Sequence, residues 1–420
     1  MSNLEANKAK IIQLIAKLDQ LMSEQLSLVI ADEKFQQLEA SWRNLYALVN
    51  LPINFSYIKL KILNISWDEI SKDLNLSSKV SDSKLHNLIV NKEYNTLGGE
   101  PFGVITVNHN ISKELDLDSS YDDIYTLELL AALGEKSLTP FIIDINNDFF
   151  GLSTEEYVSD HHKIDRALKG NDFIAWHRLR KSKNAHFLAT VYNKIAFRRR
   201  YRNSRVGFIF NEESEDEYFW ANTGMTFMKN IMVEFSRVKW FGFLKNRMLR
   251  NNFGSSISVG NGSLYETPVF KAQRSLETAK VLSDRGIIPV VYNTLSKRYY
   301  FYSNNSVQFD DGGHEQVIQT TLMVSRIAHY LKIKLRTLIG SMKEANECEE
   351  LLNNWLQQYC SNSTVSDEAV LAAHPLKQGR VKVAKEVGSH NSFNCEMLLI
   401  PQYQYDRLET KITLSTLVEG

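Results

Sequence analysis

Two carboxylates seven residues apart, Glu93 and Glu100, flank the turn in EYNTLGGEPFG, residues 93–103. A general acid and a general base need a set geometry and a nucleophile or oriented histidine beside them. A loop sets no such geometry, and no such group accompanies this pair. A phosphate cradle would need a lysine or a helix N-terminus directly after the glycines. Here the chain enters the apolar run Val104, Ile105, Val107 instead. Gly98, Gly99 and Pro101 suit a tight turn, and Gly103 lets the chain enter a strand without crowding, so the stretch is expected to be a scaffold turn.

Other candidates for chemistry are weaker. SDHHKID, residues 159–165, offers Asp160, His161, His162 and Asp165, but adjacent histidines do not converge on a metal ion. Cys348, Cys360 and Cys395 are the three cysteines, with no C-x-x-C pair, and read as free thiols of a reducing cytosol. G-x-S-x-G, H-E-x-x-H and Walker motifs are absent. No catalytic residue, metal or cofactor is expected, and the chain does not read as an enzyme.

The elements that would position these residues belong to an ordinary folded chain of 420 residues, 43% hydrophobic and 11% aromatic. With Lys+Arg and Asp+Glu both at 49, the net charge is zero, which argues against nucleic acid or an anionic membrane as the main partner. The polar start MSNLEANKAK has no apolar signal core, and no stretch approaches a membrane span. A cytoplasmic protein is expected.

Ile11, Ile12, Leu14, Ile15, Leu18, Leu21, Met22, Leu26 and Ile30 recur with helical period over residues 4–31. A second helix carries Phe35, Leu38, Trp42, Leu45 and Val49 on one side, and Pro52 stops it. Residues 58–65 alternate like a strand, a helix starts near Trp67, and GVITVNH, TLELLAALGEKS and PFIIDI read as strand, helix, strand. Residues 218–238 read as helical, and GIIPVVYN and RYYFYS as further strands. This alternation predicts a mixed α/β (α+β) fold with partly parallel strands. RRRYRNSR and NEESEDE place a basic and an acidic block around one short strand, preferably a solvated or subunit-facing hairpin. Turn residues at 309–315 suggest a boundary, giving segments 1–52, 53–310 and 311–420.

Past that boundary, a helix from about Glu315 to Ile339 buries Val324, Ile327, Ala328, Leu331, Leu335, Leu338 and Ile339 on the helical wheel. The opposite face carries Arg326, His329, Ile333 and Arg336, flanked by Lys332 and Lys334. An apolar centre ringed by cations is what a docking patch for an acidic protein surface would look like. ECEELLNNWLQQYC is a second amphipathic helix, and RVKVAKEV, NCEMLLIPQYQ and ETKITLSTLV are strand-like. A terminal strand with an open edge invites strand addition.

EYNTLGGEPFG, AHYLKIKLRTLIGSM, CEELLNNWLQQY, QLEASWRNLYALV, EYFWAN, NSVQ and HPLKQGRVKV together resemble, in order and over nearly the whole chain, the large subunit of the type VI secretion contractile sheath (the TssC/VipB family). That resemblance implies a phage-tail-sheath-like multidomain fold ending in a helix pair and a β-hairpin. It also implies a structural subunit that pairs with a small one (TssB/VipA), stacks with copies of itself into a tube around Hcp, meets a baseplate, and contracts. In these terms Arg326, His329, Lys332, Ile333 and Arg336 are candidates for touching the inner tube. Glu396, Leu398, Ile400, Lys411, Thr413, Ser415 and Leu417 are candidates for strand exchange with neighbouring protomers. Family members commonly carry several dozen residues before the start of the shared core, including a helix gripped by the unfoldase ClpV, so ClpV is not expected as a partner of these residues. Ala221 and residues 198–202 also depart from the family's small or mixed residues. A soluble polyanion-binding protein using residues 198–205, or a sheath of another contractile injection system, is the alternative.

Overall fold

The computed structural model describes residues 2–113, 121–151, 160–205, 207–241, 244, 257, 269–294, 297–309, 315–339, 345–361, 374–385, 392–402 and 412–419. In chain order the strands are β1 Ile105–Ile111, β2 Phe141–Ile145, β3 Leu188–Tyr192, β4 Lys194–Arg199, β5 Ser204–Arg205, β6 Ile209–Phe210, β7 Tyr218–Asn222, β8 Ile287–Asn293, β9 Arg298–Phe301, β10 Asn305–Phe309, β11 Glu315–Val317, β12 Leu376–Lys385, β13 Ser392–Pro401 and β14 Ile412–Glu419.

A five-stranded sheet of order β1-β2-β3-β8-β9 organises the molecule. Its first four strands are parallel and β9 joins antiparallel through a hairpin from β8. Parallel neighbours need crossovers, and helices supply them: Asp123–Ser137 links β1 to β2, and His161–Lys169 with Ile174–Lys181 links β2 to β3. Because successive side chains alternate, Phe141, Ile143 and Ile145 of β2 face those helices while Ile142 faces Phe227 and Ile231 on the other side. Both faces are covered, which is why PFIIDI is apolar almost throughout. The helix facing that second side is Gly224–Val238, so the predicted helix over 218–238 is in fact β7 followed by a shorter helix.

Local chemistry sets the helix ends. Ser66 and Glu69 form a capping box at the start of Trp67–Leu76, and Asp32 caps Glu33–Val49 by accepting from Phe35 N. Residues 58–65, expected as a strand, belong to no sheet among the described residues.

The C-terminal part contains helices Ile318–Ile339 and Ala345–Gln357 and an antiparallel sheet of order β12-β13-β14. Val324, Ile327, Leu331, Leu335, Leu352, Leu356, Cys395, Met397 and Leu399 join the same apolar cluster as Leu127, Phe141 and Leu188. One continuous core thus joins the two sides of the expected boundary, whose residues 310–314 lie outside the described residues.

Candidate assembly surfaces

The turn at 93–103 is held by its own backbone and by charge. Gly98 has φ +80°, and a Cβ on Gly99 would lie 2.4 Å from Glu93 O, so only glycine fits. Glu93 accepts from Glu100 N at 3.0 Å and pairs with Lys61 at 2.6 Å; Glu100 pairs with Lys59. The Lys61 ammonium holds Glu93 below the usual carboxylate range, against partial burial. Exposed pairs of this kind are worth about 0–1 kcal/mol, so they position the chain more than they stabilise it. Pro101 O lies 3.5 Å from Arg326 Nη1, and a Cβ on Gly103 would press on the Phe241 ring.

The basic helix is corrected at two positions. His329 is 0% and Lys332 5% exposed, so neither belongs to a solvated face. His329 Nε2 lies 2.9 Å from Ser137 O, its ring 5.3 Å from that of Tyr94, and burial pushes its pKa down to about 3. Lys332 Nζ donates to Asn95 Oδ1 at 2.7 Å and sits 3.5 Å from the centroid of Tyr94. A helical wheel registers polarity but not the Tyr94–Asn95 turn that comes to meet it. Ile333 is 44% exposed, Lys334 lies beside it with its ammonium over Trp355, and Arg326 is half-buried against Tyr330. The Arg336 side chain lies outside the described residues.

In the C-terminal sheet Cys395, Met397 and Leu399 point into the core, so Glu396, Leu398 and Ile400 occupy the other face of β13. That strand is central: Glu396 registers with Lys382 on one side and Ser415 on the other, Leu398 with Arg380 and Thr413. Glu396 and Leu398 therefore sit on no open edge, while Ile400 registers with Gln378 of β12 and lies one residue past the described pairing with β14. The outer edge of β12 is closed as well, by side chains one helical turn apart on Ala345–Gln357. Glu349 accepts from Val383 N, Asn353 bonds both Val381 N and Val381 O, and Gln357 donates to Gly379 O. Gly379 permits that approach, since a Cβ there would lie 2.6 Å from Leu356. Among the described residues the outer edge of β14, with Thr413, Ser415 and Leu417, is left without a strand. Lys411 lies outside the described residues.

The charged blocks largely neutralise each other. Arg198 is 0% exposed, reaches Glu212 at 2.7 Å and Glu39 at 2.8 Å, and stacks on Phe219 at 3.8 Å. Arg200 and Arg202 face Glu217. The expected solvated block is thus partly an internal clamp between helix Glu33–Val49 and the β4–β7 arm. The other charged candidates have structural partners too: Asp160 caps His161–Lys169, and Asp165 binds Arg285 at 2.7 Å.

The two N-terminal helices turn the wrong face outward. Along Ser2–Ala31 the inward stripe is Asp19, Ser23 and Ser27, which bond the backbone of Ile209, Asn211 and Glu213, with Ile30 buried at its end. Ile11, Ile12, Leu14, Ile15, Leu18 and Leu21 are exposed. On the next helix Trp42, Tyr46 and Val49 are exposed as well, although its buried residues, Ala40 and Leu48, are apolar. The periodicity was visible in the sequence; its direction was not. Among the described residues no helix is long and apolar enough to cross a membrane, and no cluster of His, Cys, Asp and Glu could hold a metal ion.

Apolar exposure of this extent marks an interaction surface. A family model described as EvpB/VC_A0108 tail sheath N-terminal domain (VipB) matches residues 12–308, and one described as tail sheath gpW/gp25-like domain matches 314–418. The chain belongs to this tail sheath family. The type VI secretion system sheath protein TssC1 of Pseudomonas aeruginosa is 25% identical to the sheath chain over 429 residues, 96% of this chain and 84% of that protein. By family, the chain is a tail sheath protein. The contracted helical sheath of the anti-feeding prophage overlaps it at a TM-score of 0.39, with 10% identity over 73% of this chain and 69% of that one. The contracted PVC sheath overlaps it at 0.36, with 11% identity over 64% of this chain and 60% of that one. The sheath chain therefore spans about three fifths of that PVC chain.

Proposed function

We propose that this chain is the large subunit of a type VI secretion sheath, that it assembles with a small sheath subunit and with copies of itself around an Hcp inner tube, and that it contracts on a baseplate to propel the tube. It catalyses no reaction; energy is stored in subunit packing and released by rigid-body rearrangement in the cytoplasm. The observation that carries the reading is helix Ser2–Ala31, which bonds inward through Ser23 and Ser27 and exposes Ile11, Ile12, Leu14, Ile15, Leu18 and Leu21, a surface that suits a partner and not water. The small subunit is assigned to the outward faces of the two N-terminal helices, and strand exchange to the edge of β14, since the other edges of that sheet are taken. Contact with the inner tube falls to Ile333, Lys334 and Arg326, because His329 and Lys332 are committed inside this chain. A polyanion site at 198–205 loses support, since Arg198 is fully paired within the fold.

Co-expression with a small sheath subunit, followed by negative-stain electron microscopy of the pelleted lysate, tests this. Hollow, helically ridged tubes that vanish when 412–419 are deleted are expected. Discrete soluble particles in both samples would refute the sheath reading.

A further inference from the structure

The two edges of the C-terminal sheet are built differently. Along β12, side chains of helix Ala345–Gln357 take the outward peptide groups in reverse order: Glu349 reaches Val383 N at 3.0 Å, Asn353 reaches Val381 N and O at 2.9 and 2.8 Å, and Gln357 reaches Gly379 O at 3.1 Å. The two spacings nearly match, since four residues of helix rise about 6 Å and two residues of strand about 6.8 Å. A helix laid antiparallel to a strand can therefore offer one side chain to every second residue. The same strand carries Lys377, Arg380 and Lys382 at exposed positions, and cations on an edge discourage a further strand. β14 has neither device. Its residues 412–418 read ITLSTLV without a charge, and its outer edge meets no strand among the described residues.

We propose that Glu349, Asn353 and Gln357 form an edge guard, which keeps the β14 of a second copy from pairing with β12 and so confines strand addition to β14. The strand kept out is that of a second copy because each copy carries both halves of the contact, an uncharged β14 and a β12 whose peptide groups would otherwise be open. Joining them would be a heterologous contact, which repeats from copy to copy without closing. Such pairing would compete with the exchange of strands that a sheath needs. The inference deepens the assignment of strand exchange to β14 and rests on it.

The test is a disulfide between copies. Within one chain Lys382 and Ser415 both register with Glu396 and so lie two strand spacings apart, about 9–10 Å, beyond the reach of a disulfide. Lys382→Cys combined in turn with Thr413→Cys, Leu414→Cys, Ser415→Cys or Thr416→Cys can therefore link only β12 of one copy to β14 of another. The full chain is co-expressed with a small sheath subunit and oxidised, and the linked peptides are mapped by mass spectrometry. With the guard intact these links are expected to be scarce. With Glu349→Ala, Asn353→Ala and Gln357→Ala combined they should rise at least about tenfold, because the hydrogen bonds that held the edge are gone. The rise should fall on positions of one parity, since alternate residues of a strand face one side. Gly379→Ala gives a second reading with the polar side chains unchanged, because its Cβ would lie 2.6 Å from Leu356 and lift the helix. Links as frequent in the guarded chain, no rise in either variant, or an equal rise at all four positions would overturn the guard. None of these results touches the sheath reading, which stands or falls with the tubes of the parent chain.

Discussion

Asn353 completes β12 as a neighbouring strand would: its side-chain nitrogen donates to Val381 O at 2.8 Å and its oxygen accepts from Val381 N at 2.9 Å. The amide reproduces the donor and acceptor of one peptide unit, so a helix closes the edge of a sheet. Asn353→Leu keeps the size and removes both bonds, leaving a strand edge unsatisfied. A loss of about 1–3 kcal/mol is expected in urea unfolding of the subunit complex, with more aggregation; an unchanged midpoint would show that water already serves that edge.

Arg198 is buried, paired with two carboxylates and stacked on Phe219, so its truncation is costly. Arg198→Met leaves buried Glu212 without its cation and Glu39 with Arg43 alone, and breaking a buried pair from one side costs about 3–5 kcal/mol. The loss should be regained in large part when Glu212→Leu and Glu39→Gln are added. Urea midpoints of the single and triple variants decide the matter: a triple variant no more stable than the single one would assign the cost to lost stacking on Phe219.

Asp144 and His329 tilt the pH dependence in opposite senses. Burial raises Asp144 to about 7, although Gly224 and Thr223 N–H groups and Lys194 favour its charged form. An acid raised in the folded state binds more protons there, so its contribution to stability is lost as pH rises from about 4 to about 7. His329, lowered to about 3, binds fewer protons when folded, and its contribution is lost as pH falls below about 6.5. Asp144→Asn can keep the bond from Gly224 N and removes the buried charge. It should be more stable than the parent by up to about 4 kcal/mol at pH 8, with the gap closing towards pH 4.5. A gap independent of pH would mean that Asp144 titrates normally.

The cysteines should differ in reactivity. Burial pushes Cys395 up to about 12 and also raises Cys348, and both side chains are inaccessible. Only Cys360 is partly open. Under native conditions a thiol reagent followed by peptide mass mapping should mark Cys360 first, with Cys348 and Cys395 following only as urea unfolds the chain. Early labelling of Cys395 would contradict the packing of β13 on the helices.

The sequence by itself determined the family and most of the kinds of element, but not the strand at 218–222 or the state of residues 58–65. The apolar run of PFIIDI, period 3.6 in the helices, Ser66 before Glu69, and the glycines of the 93–103 turn are local properties, set by backbone sterics and by hydrogen bonds within a few residues. Tertiary structure alone decided what each face meets. Ser23 and Ser27 turn inward because the backbone of 209–213 lies there to be bonded, and His329 and Lys332 do so because Ser137, Tyr94 and Asn95 do. Residues 59–65 stayed single because their backbone found no neighbour among the described residues, and β12 was closed by a helix side chain. Periodicity records which residues are apolar; burial depends on which distant groups arrive, and those contacts are made only when the whole chain has folded.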